Sequence, residues 1–381
     1  MNKIVHVITG LGTGGAEMML YKLLSTGNPE QHSQIVISLT DIGPVGEKIQ
    51  AIGVPVFALG MKRGVPGPAA FFNLAKMLRR ESPDIVQSWM YHADFIAGIA
   101  ARLAGGMPVV WGIRNSTLDA ASSRKMTIWL VRLCARLSSI LPARIVCCSH
   151  VAAELHHQLG YTEKKMIVIP NGFDTKRFIP DSGAYHAVRK ELAVDTTTIL
   201  VGLVARFDPQ KDHQSFINAC RLVHSAYPDV HYLLCGKGIN WNNSLLTSWL
   251  SEAGLENVFH LLGERDDIPH LTAALDVAVS SSSYGEAFPN VVGEAMACGV
   301  PAVVTDVGDS ALIVGDTGEV VTPDDPQMLA SRLKKLLSLP AESRKRLGLS
   351  ARQRVEQHYD LPTITARYHH LYEETLSECA V

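Results

Sequence analysis

The sequence predicts an α/β protein of two domains, each built on a parallel β-sheet. Its 381 residues are enough for about two domains of ordinary size. Short runs rich in β-branched residues alternate with longer helical patterns, as in parallel sheets whose strands are joined by helices. The alternation stops at the turn signal Pro170-Asn171-Gly172 and then starts again. With 47% apolar and 19% charged residues, the chain is expected to be globular and well buried.

Six apolar runs before the turn signal predict six strands, and helical segments lie between most of them. These runs are residues 3–8, 33–39, 54–59, 84–89, 108–113 and 143–149. A second set of runs predicts the second sheet, at residues 197–206, 230–236, 258–263, 276–282, 300–306 and 318–322. Residues 325 to about 375 have a helical pattern. We expect two α/β domains that are joined near residue 172 and have a cleft between them.

Charge is distributed unevenly along the chain, although the net charge is only −2. Residues 1–172 contain 17 Lys and Arg against 10 Asp and Glu, and the remainder contains 18 against 27. The basic first half indicates an anionic substrate or an anionic membrane surface as its partner. Nucleic acid is not an expected partner.

The cysteines and the N-terminus favour a cytoplasmic protein. Seven cysteines occur without a C-x-x-C pair, so a reducing compartment fits better than a disulfide framework. The N-terminus lacks a signal-peptide core, and no apolar run reaches the roughly 18 residues of a membrane span. We expect a cytoplasmic location, with peripheral attachment to the inner face of the plasma membrane as a further possibility.

A glycine-rich stretch, "ITGLGTGGAE" at residues 8–17, follows the first predicted strand. Gly10, Gly12 and Gly15 have the G-x-G-x-x-G spacing of dinucleotide-binding proteins. Such a protein would place an acidic residue at the end of the second strand, and Asp41, about 26 residues past the motif, fits that role poorly. The stretch is therefore interpreted as a glycine loop that cradles a different ligand.

The segment "SSSYGEAFPNVVGEAMACGVPAVVTDVGD", residues 281–309, is the most informative in the chain. A strand ends in serines, a glycine-containing loop follows, and a helix is predicted to begin near Asn290. Ligands bind at the carboxyl ends of strands in open α/β sheets, and a helix N-terminus attracts anions. Glu286 precedes the helix and Glu294 lies inside it.

This segment resembles the retaining glycosyltransferases of family 4, also called glycosyl transferases group 1. The resemblance implies the GT-B fold, in which two Rossmann-like domains face each other across a cleft. It also implies that Glu286 binds hydroxyls of the donor sugar and that Glu294 binds the ribose of the sugar nucleotide. The remaining donor contacts implied by the resemblance are the amides of Ala287, Phe288 and Asn290.

Two further stretches are similar to motifs of the same family. In "VARFDPQKD", residues 204–212, Arg206 and Lys211 would reach the donor diphosphate, where two cations suit a leaving group whose charge grows. In residues 261–282, the loop from Gly263 to Arg265 would read the base. The resemblance also explains the glycine loop, whose Gly12, Gly14 and Gly15 would approach the donor phosphate or sugar as bare backbone.

The sequence departs from the family pattern after the fifth predicted strand. Many relatives have a histidine there, whereas "VVWGIRNS", residues 109–116, has Arg114. Arginine cannot act as a general base at neutral pH, so Arg114 would stabilise the leaving phosphate or bind an anionic acceptor. His92, in "QSWMYHADFIAGIAARLAG", is expected at a strand end facing the cleft.

The resemblance implies a retaining glycosyltransferase that moves a sugar from a UDP-sugar or GDP-sugar to a glycan or lipid-linked acceptor in cell-surface polysaccharide synthesis. Residues 1–172 would bind the acceptor, residues 173–361 would bind the nucleotide sugar, and a helix at about 362–381 would pack back on the first domain. No cofactor or metal is expected, since the Asp-x-Asp motif of metal-dependent glycosyltransferases is missing. The alternatives are a GT-B epimerase or hydrolase of UDP-sugars and a non-catalytic subunit that binds sugar nucleotides.

Two helical segments are open to more than one interpretation. Residues 122–144 have the pattern of a basic amphipathic helix, which either covers the first sheet or contacts a membrane surface. The histidine pairs at 156–157 and 369–370 are expected to be exposed helix residues rather than metal ligands.

Overall fold

The computed structural model describes residues 2–27, 32–61, 67–116 and 125–379. The chain forms two compact units. The first contains residues 1–172 and 361–381, and the second contains residues 173–360. Each unit has its own parallel sheet, which confirms the predicted α/β class.

The first unit is built on a seven-stranded parallel sheet in the order β3-β2-β1-β4-β5-β6-β7. Its strands are β1 (Asn2–Ile8), β2 (His32–Ser38), β3 (Val56–Ala58), β4 (Ile85–Trp89), β5 (Val109–Ile113), β6 (Arg144–Cys147) and β7 (Met166–Val168). Six strands were predicted, and β7 is the additional one. It is short, only partly buried and at the sheet edge, so its sequence lacks the long apolar run of a central strand.

Helices cover both faces of this sheet, which is why its strands are apolar on both sides. They are α1 (Gly15–Thr26), α2 (Gly43–Ala51), α3 (Pro68–Glu81), α4 (Tyr91–Ala104), α5 (Lys125–Leu137), α6 (His150–Gln158) and the C-terminal α15 (Leu361–Cys379). In β1, Val5 and Val7 belong to one apolar core, while Ile4 and Ile8 belong to the core that α15 covers.

The second unit has a six-stranded parallel sheet in the order β10-β9-β8-β11-β12-β13. Its strands are β8 (Leu200–Val204), β9 (His231–Cys235), β10 (Phe259–Leu261), β11 (Val277–Ser280), β12 (Ala302–Thr305) and β13 (Glu319–Val321). Its helices are α7 (Ser182–Glu191), α8 (His213–His224), α9 (Ser244–Ala253), α10 (Ile268–Ala273), α11 (Asn290–Ala297), α12 (Ser310–Val314), α13 (Pro326–Leu337) and α14 (Ala341–His358). Each strand predicted for this sheet is present.

Strand order reverses once in each sheet, between β1 and β4 and between β8 and β11. At such a switch point the loops after the two strands run in opposite directions and leave a crevice at the carboxyl ends of the strands. The loop after β1 is the glycine loop, the loop after β8 carries Arg206 and Lys211, and the loop after β11 carries Glu286.

Two expectations about helices change with the structure. The predicted basic amphipathic helix over residues 122–144 corresponds to α5, which ends at Leu137, before residue 144. Residues 122–124 of the predicted segment lie outside the described residues. The prediction that His156 is exposed is wrong, because its ring is fully buried in α6. Its Nε2 lies 2.9 Å from the Tyr91 hydroxyl and its Nδ1 lies 2.7 Å from the carbonyl oxygen of Ala152.

Candidate active site

A lysine–glutamate ion pair lies at the switch point of the second sheet. Lys211, on the loop after β8, donates through Nζ to Oε1 of Glu286, on the loop after β11. The Ser282 hydroxyl donates to the same carboxylate oxygen at 2.8 Å. The two charged side chains are only 16% and 10% exposed, so their attraction is screened less than that of a surface pair.

Two consecutive serines directly after β11 position this ion pair. The Ser281 hydroxyl donates to the carbonyl oxygens of Lys211 and Asp212 at 2.8 and 3.1 Å, while Ser282 holds Glu286. The Thr305 hydroxyl, at the end of β12, donates to the carbonyl oxygen of Ser282 at 2.6 Å. These serines are visible in the sequence motif, but no role was predicted for them.

The loop that carries Glu286 rests closely on neighbouring backbone. Gly308 has a φ of +62°, and a Cβ there would lie 2.4 Å from the carbonyl oxygen of Glu286 and 2.7 Å from that of Ala287. The Asp309 N–H donates to the carbonyl oxygen of Ala287 at 3.0 Å. Phe288 anchors the other end of the loop, because its ring is buried and stacks on Phe173 at 5.9 Å.

Helix α11 starts directly after this loop. Its N-cap residue, Pro289, forms no side-chain cap, and Asn290 is its first residue. A helix N-terminus of this kind presents N–H groups toward the loop. Glu294 follows one turn later and lines a narrow, mostly apolar pocket with Val204, Ile268 and Thr272.

Arg206 lies on the same loop as Lys211 and is the more exposed of the two cations. Its side chain is 54% exposed, and it donates to Asp208 Oδ2 at 3.0 Å and to Gln210 Oε1 at 3.3 Å. Gln210 also connects the two loops, since its carbonyl oxygen accepts from the Ser283 N–H at 2.9 Å. Arg206, Lys211 and Glu286 therefore belong to one hydrogen-bonded assembly of the second unit.

The loop from Gly263 to Arg265 is held mainly by groups within the second unit. The Gly263 N–H donates to the carbonyl oxygen of Ile239 at 2.7 Å. The Gly263 carbonyl oxygen accepts from the Gly236 N–H, also at 2.7 Å. The Arg265 guanidinium is paired with Asp267 and Glu191, and hydrogen bonds to these two carboxylates raise its pKa. Because the guanidinium already forms these ion pairs, contacts of Arg265 with a nucleotide base would have to come from its backbone N–H and carbonyl groups.

In the first unit, the glycine loop leads from β1 into α1. A Cβ at Gly12 would meet no heavy atom within 4 Å, whereas a Cβ at Gly14 would lie 2.4 Å from the Glu17 carboxylate. Gly14 is the N-cap of α1, Gly15 is its first residue and Glu17 lies in its first turn. Burial raises the pKa of Glu17. No role was predicted for Glu17, and its N-cap neighbour Gly14 has no side chain with which to complete a capping box.

His92 and Arg114 follow β4 and β5, which are neighbours in the first sheet. His92 lies in the first turn of α4, and burial lowers its pKa. The turn before it is strained, since Met90 has a φ of +73°. Arg114 stacks on the Trp89 ring, with its guanidinium carbon 4.7 Å from the ring centroid.

Comparisons with known proteins assign the chain to a family. The family description "Glycosyl transferases group 1" matches residues 186–354, and "Glycosyltransferase Family 4" matches residues 13–177. The chain is 32% identical over 288 residues to the lipopolysaccharide core biosynthesis mannosyltransferase LpsB of Rhizobium meliloti, an alignment that covers 70% of this chain and 76% of that protein. The chain belongs to glycosyltransferase family 4.

Two further proteins are similar to this glycosyltransferase. The Escherichia coli UDP-Gal:alpha-D-GlcNAc-diphosphoundecaprenol alpha-1,3-galactosyltransferase is 25% identical over 296 residues, which cover 75% of each chain. The crystal structure of Anabaena HepE in complex with UDP superimposes with a TM-score of 0.85 at 22% identity, covering 98% of this chain and 100% of the other. The predicted GT-B fold is thereby confirmed.

The predicted site residues of this glycosyltransferase fall into separate groups. Arg206, Lys211 and Glu286 are connected by hydrogen bonds, and Glu294 lies further along in α11. Gly263 and Arg265 belong to another loop of the second unit, whereas the glycine loop, His92 and Arg114 belong to the first. The residues that support these groups were not predicted from the sequence. They are Gln210, Ser281, Ser282, Thr305 and Gly308 in the second unit, and Glu17, Trp89 and Tyr368 in the first.

The described residues contain neither a metal-binding cluster nor a membrane-spanning helix. No cluster of three or more His, Cys, Asp or Glu side chains in the ranges described above could hold a metal ion. Within the same ranges, no helix is both long enough and apolar enough to cross a membrane.

Proposed function

We propose that this glycosyltransferase moves a sugar from a UDP-sugar or GDP-sugar to a glycan or lipid-linked acceptor in cell-surface polysaccharide synthesis. The observation that carries the proposal is the Lys211–Glu286 pair at the switch point of the second sheet, with Arg206 on the same loop as Lys211. The Escherichia coli relative is named for a UDP-Gal donor and a diphosphoundecaprenol-linked acceptor. The Rhizobium meliloti relative is named for lipopolysaccharide core synthesis, and HepE was crystallised with UDP.

Arg206 and Lys211 would bind the donor diphosphate. Negative charge develops on this group as the glycosidic bond breaks, so cations placed there stabilise the transition state more than the ground state. A lysine ammonium has three N–H donors. Lys211 can therefore keep its bond to Glu286 while it donates to a phosphate oxygen. Because two cations supply the positive charge, we expect no divalent metal in the reaction.

Glu286 would bind hydroxyls of the donor sugar. An ionised carboxylate only accepts hydrogen bonds, and sugar hydroxyls are donors of the matching kind. Ser282 and Lys211 both bind Oε1, which fixes the orientation of the carboxylate before the sugar arrives. Such preorganisation costs no reorientation during the reaction. Glu294, near the apolar pocket of α11, would bind the ribose, and the amides of Ala287, Phe288 and Asn290 would face the sugar and diphosphate.

The reaction would retain the anomeric configuration. In a front-face transfer, the bond from the anomeric carbon to the diphosphate oxygen breaks, and the acceptor oxygen bonds to the same face of that carbon. The acceptor proton passes to the departing phosphate oxygen. This route gives the enzyme one main task, which is to hold the diphosphate in place, and the cations of the β8 loop are suited to it.

The first unit would bind the acceptor, and its α5 surface would attach the enzyme to an anionic membrane. Met126 and Trp129 are 46% and 58% exposed, Arg132 and Arg136 are exposed beside them, and α5 contains no acidic residue. An indole favours the headgroup region of a bilayer, and arginine binds its phosphates. This surface supports a peripheral location at the inner face of the plasma membrane.

A single assay tests the proposed activity against its alternatives. The enzyme is incubated in excess EDTA with a panel of UDP- and GDP-sugars, with and without short-chain polyprenyl-diphosphate-linked sugars, and nucleotide release and the product are followed by proton NMR. We expect acceptor-dependent release of nucleotide and an α-linked product from an α-linked donor. A β-linked product would refute retention, and activity restored only by Mg²⁺ or Mn²⁺ would refute metal independence. Release without acceptor would indicate a hydrolase, a changed donor sugar an epimerase, and binding without turnover a non-catalytic subunit.

A further inference from the structure

Arg114 is a partly buried cation without a carboxylate partner in the described ranges. It directly follows β5, next to the strand that forms the switch point with β1. Its Nη1 lies 3.5 Å from the Tyr368 hydroxyl, and its buried Nη2 has no hydrogen-bond partner. A buried charge is normally paired or hydrogen-bonded, whereas Arg114 has one N–H group without an acceptor and no carboxylate partner among the described residues.

The guanidinium is held in a fixed orientation by aromatic side chains. Trp89 is 1% exposed, and its indole N–H donates to His6 Nδ1 at 3.2 Å. Tyr368, from α15, stacks on the same indole with ring centroids 6.1 Å apart. Cation–π contact with Trp89 stabilises the guanidinium without neutralising its charge, so Arg114 is held ready for a ligand.

A buried carboxylate of the first unit, Asp94, is tied to other groups. Its Oδ1 accepts from the Ser88 hydroxyl at 2.6 Å and from the Gly112 N–H at 3.1 Å. Burial raises the pKa of Asp94 to about 7, as expected for a carboxyl without a cation beside it. Asp94 therefore secures the β4–β5 backbone, and no carboxylate within the described ranges compensates the charge of Arg114.

We propose that Arg114 binds a phosphate or diphosphate group of the acceptor and so selects acceptors that carry this anion. The inference rests on the proposed function, since it names the chemical class of the acceptor for that reaction. A planar guanidinium binds phosphate oxygens in pairs, which an ammonium does not. A neutral glycan acceptor would supply no negative charge to pair with the Arg114 guanidinium at the carboxyl end of β5.

Binding of geranyl diphosphate and of geraniol to the full chain tests this inference. UDP is kept saturating so that the donor site is filled, and affinities are measured by calorimetry. We expect the diphosphate to bind at least tenfold more tightly than geraniol, and Arg114→Met to abolish most of that difference. Arg114→Lys should lose part of it, because the charge remains while the planar, stacked group is gone.

Arg80→Met is the matched control. The guanidinium carbon of Arg80 lies 5.5 Å from the centroid of the Phe57 ring in the same unit. Arg80 already forms an ion pair with Glu81, so its replacement should leave diphosphate binding unchanged. Equal binding of geranyl diphosphate and geraniol by the unmodified protein would overturn the inference without any variant. Undiminished diphosphate binding by a folded Arg114→Met protein would do the same. Failure of the unmodified protein to bind UDP would instead refute the proposed function.

Discussion

At the scale of single residues, the side chains that matter most are held by neighbours distant in sequence. Lys211 and Glu286 are 75 positions apart, and both depend on Ser281 and Ser282, which directly follow β11. Each charge is mostly buried and is compensated by the other. The pair therefore connects stability with the proposed chemistry.

Breaking the Lys211–Glu286 pair on one side should destabilise the protein by about 2–3 kcal/mol, somewhat less than a fully buried pair. Glu286→Gln and Lys211→Met each leave one mostly buried charge without its partner, whereas the double variant leaves none. We expect the double variant to be more stable than the sum of the two single effects predicts, as measured by urea unfolding. Strict additivity would show that the two side chains do not interact.

The same variants should differ in their kinetics. Glu286→Gln should lower kcat strongly and leave the Kd for UDP nearly unchanged, since UDP lacks the sugar that Glu286 would bind. Lys211→Met should weaken UDP binding as well. Equal loss of UDP affinity in both variants would contradict these separate roles.

The raised pKa of Asp94 predicts a specific pH dependence of stability. Its carboxyl titrates near 7 in the folded chain and near 4 when unfolded, so the folded state holds more protons between these values. Stability from this group therefore falls as pH rises from about 4 through 7. Asp94→Asn removes the titration while Oδ1 can still accept from Ser88 and Gly112.

Between pH 5 and pH 8, the unmodified protein should lose about 2–3 kcal/mol more stability than Asp94→Asn. Comparing the two proteins cancels the contributions of other titrating groups, including the buried His156, whose pKa burial lowers to about 4. Parallel urea-unfolding profiles of the two proteins over this pH range would show that Asp94 does not titrate there.

At the scale of elements, a methyl group added to the glycine loop between β1 and α1 tests whether this backbone segment approaches the donor. Gly12 has open space where a Cβ would lie, so Gly12→Ala should change the free energy of unfolding by less than about 0.5 kcal/mol. If the loop approaches the donor closely, the added methyl should lower kcat/KM by about tenfold or more.

Gly67→Ala is the control for this substitution, because a Cβ at Gly67 also meets no atom within 4 Å and Gly67 caps α3. Its kcat/KM should remain near that of the unmodified protein. Full activity of Gly12→Ala would mean that the loop serves only as a turn.

At the scale of the whole molecule, the uneven distribution of charge along the chain predicts binding to anionic membranes. The basic excess lies in residues 1–172, and α5 presents exposed arginines beside Trp129. Each basic residue near an anionic surface contributes about 1 kcal/mol. Co-sedimentation with phosphatidylglycerol vesicles should therefore fall with added salt and with Arg132→Glu plus Arg136→Glu.

The matched control places the same charge change in the second unit. Lys345→Glu plus Arg346→Glu alters two exposed residues of α14 and should leave co-sedimentation unchanged. Equal binding to neutral and anionic vesicles, or equal losses in the two double variants, would rule out α5 as the docking surface.

Local sequence patterns were sufficient to predict the α/β class, nearly every strand and the start of α11 at Asn290. A central parallel strand must be apolar on both faces, and this leaves a clear signal. The short edge strand β7 lacks such a signal and was not counted. The motif residues Arg206, Lys211 and Glu286 were singled out in the sequence through the family resemblance, and the structure connects them by hydrogen bonds, whereas their roles toward a donor stay predictions.

Only the tertiary structure shows which of these residues touch and what supports them. The contacts of Lys211 with Glu286, of Gly308 with the Glu286 loop and of Arg114 with Trp89 and Tyr368 all join segments far apart in the chain. The same is true of the burial of His156, which its polar sequence neighbours did not indicate. Periodicity along a chain reports which face of an element is covered, but it carries no information about which distant side chain covers it. That information arises only when strands take their order in the sheet and the loops at their carboxyl ends meet.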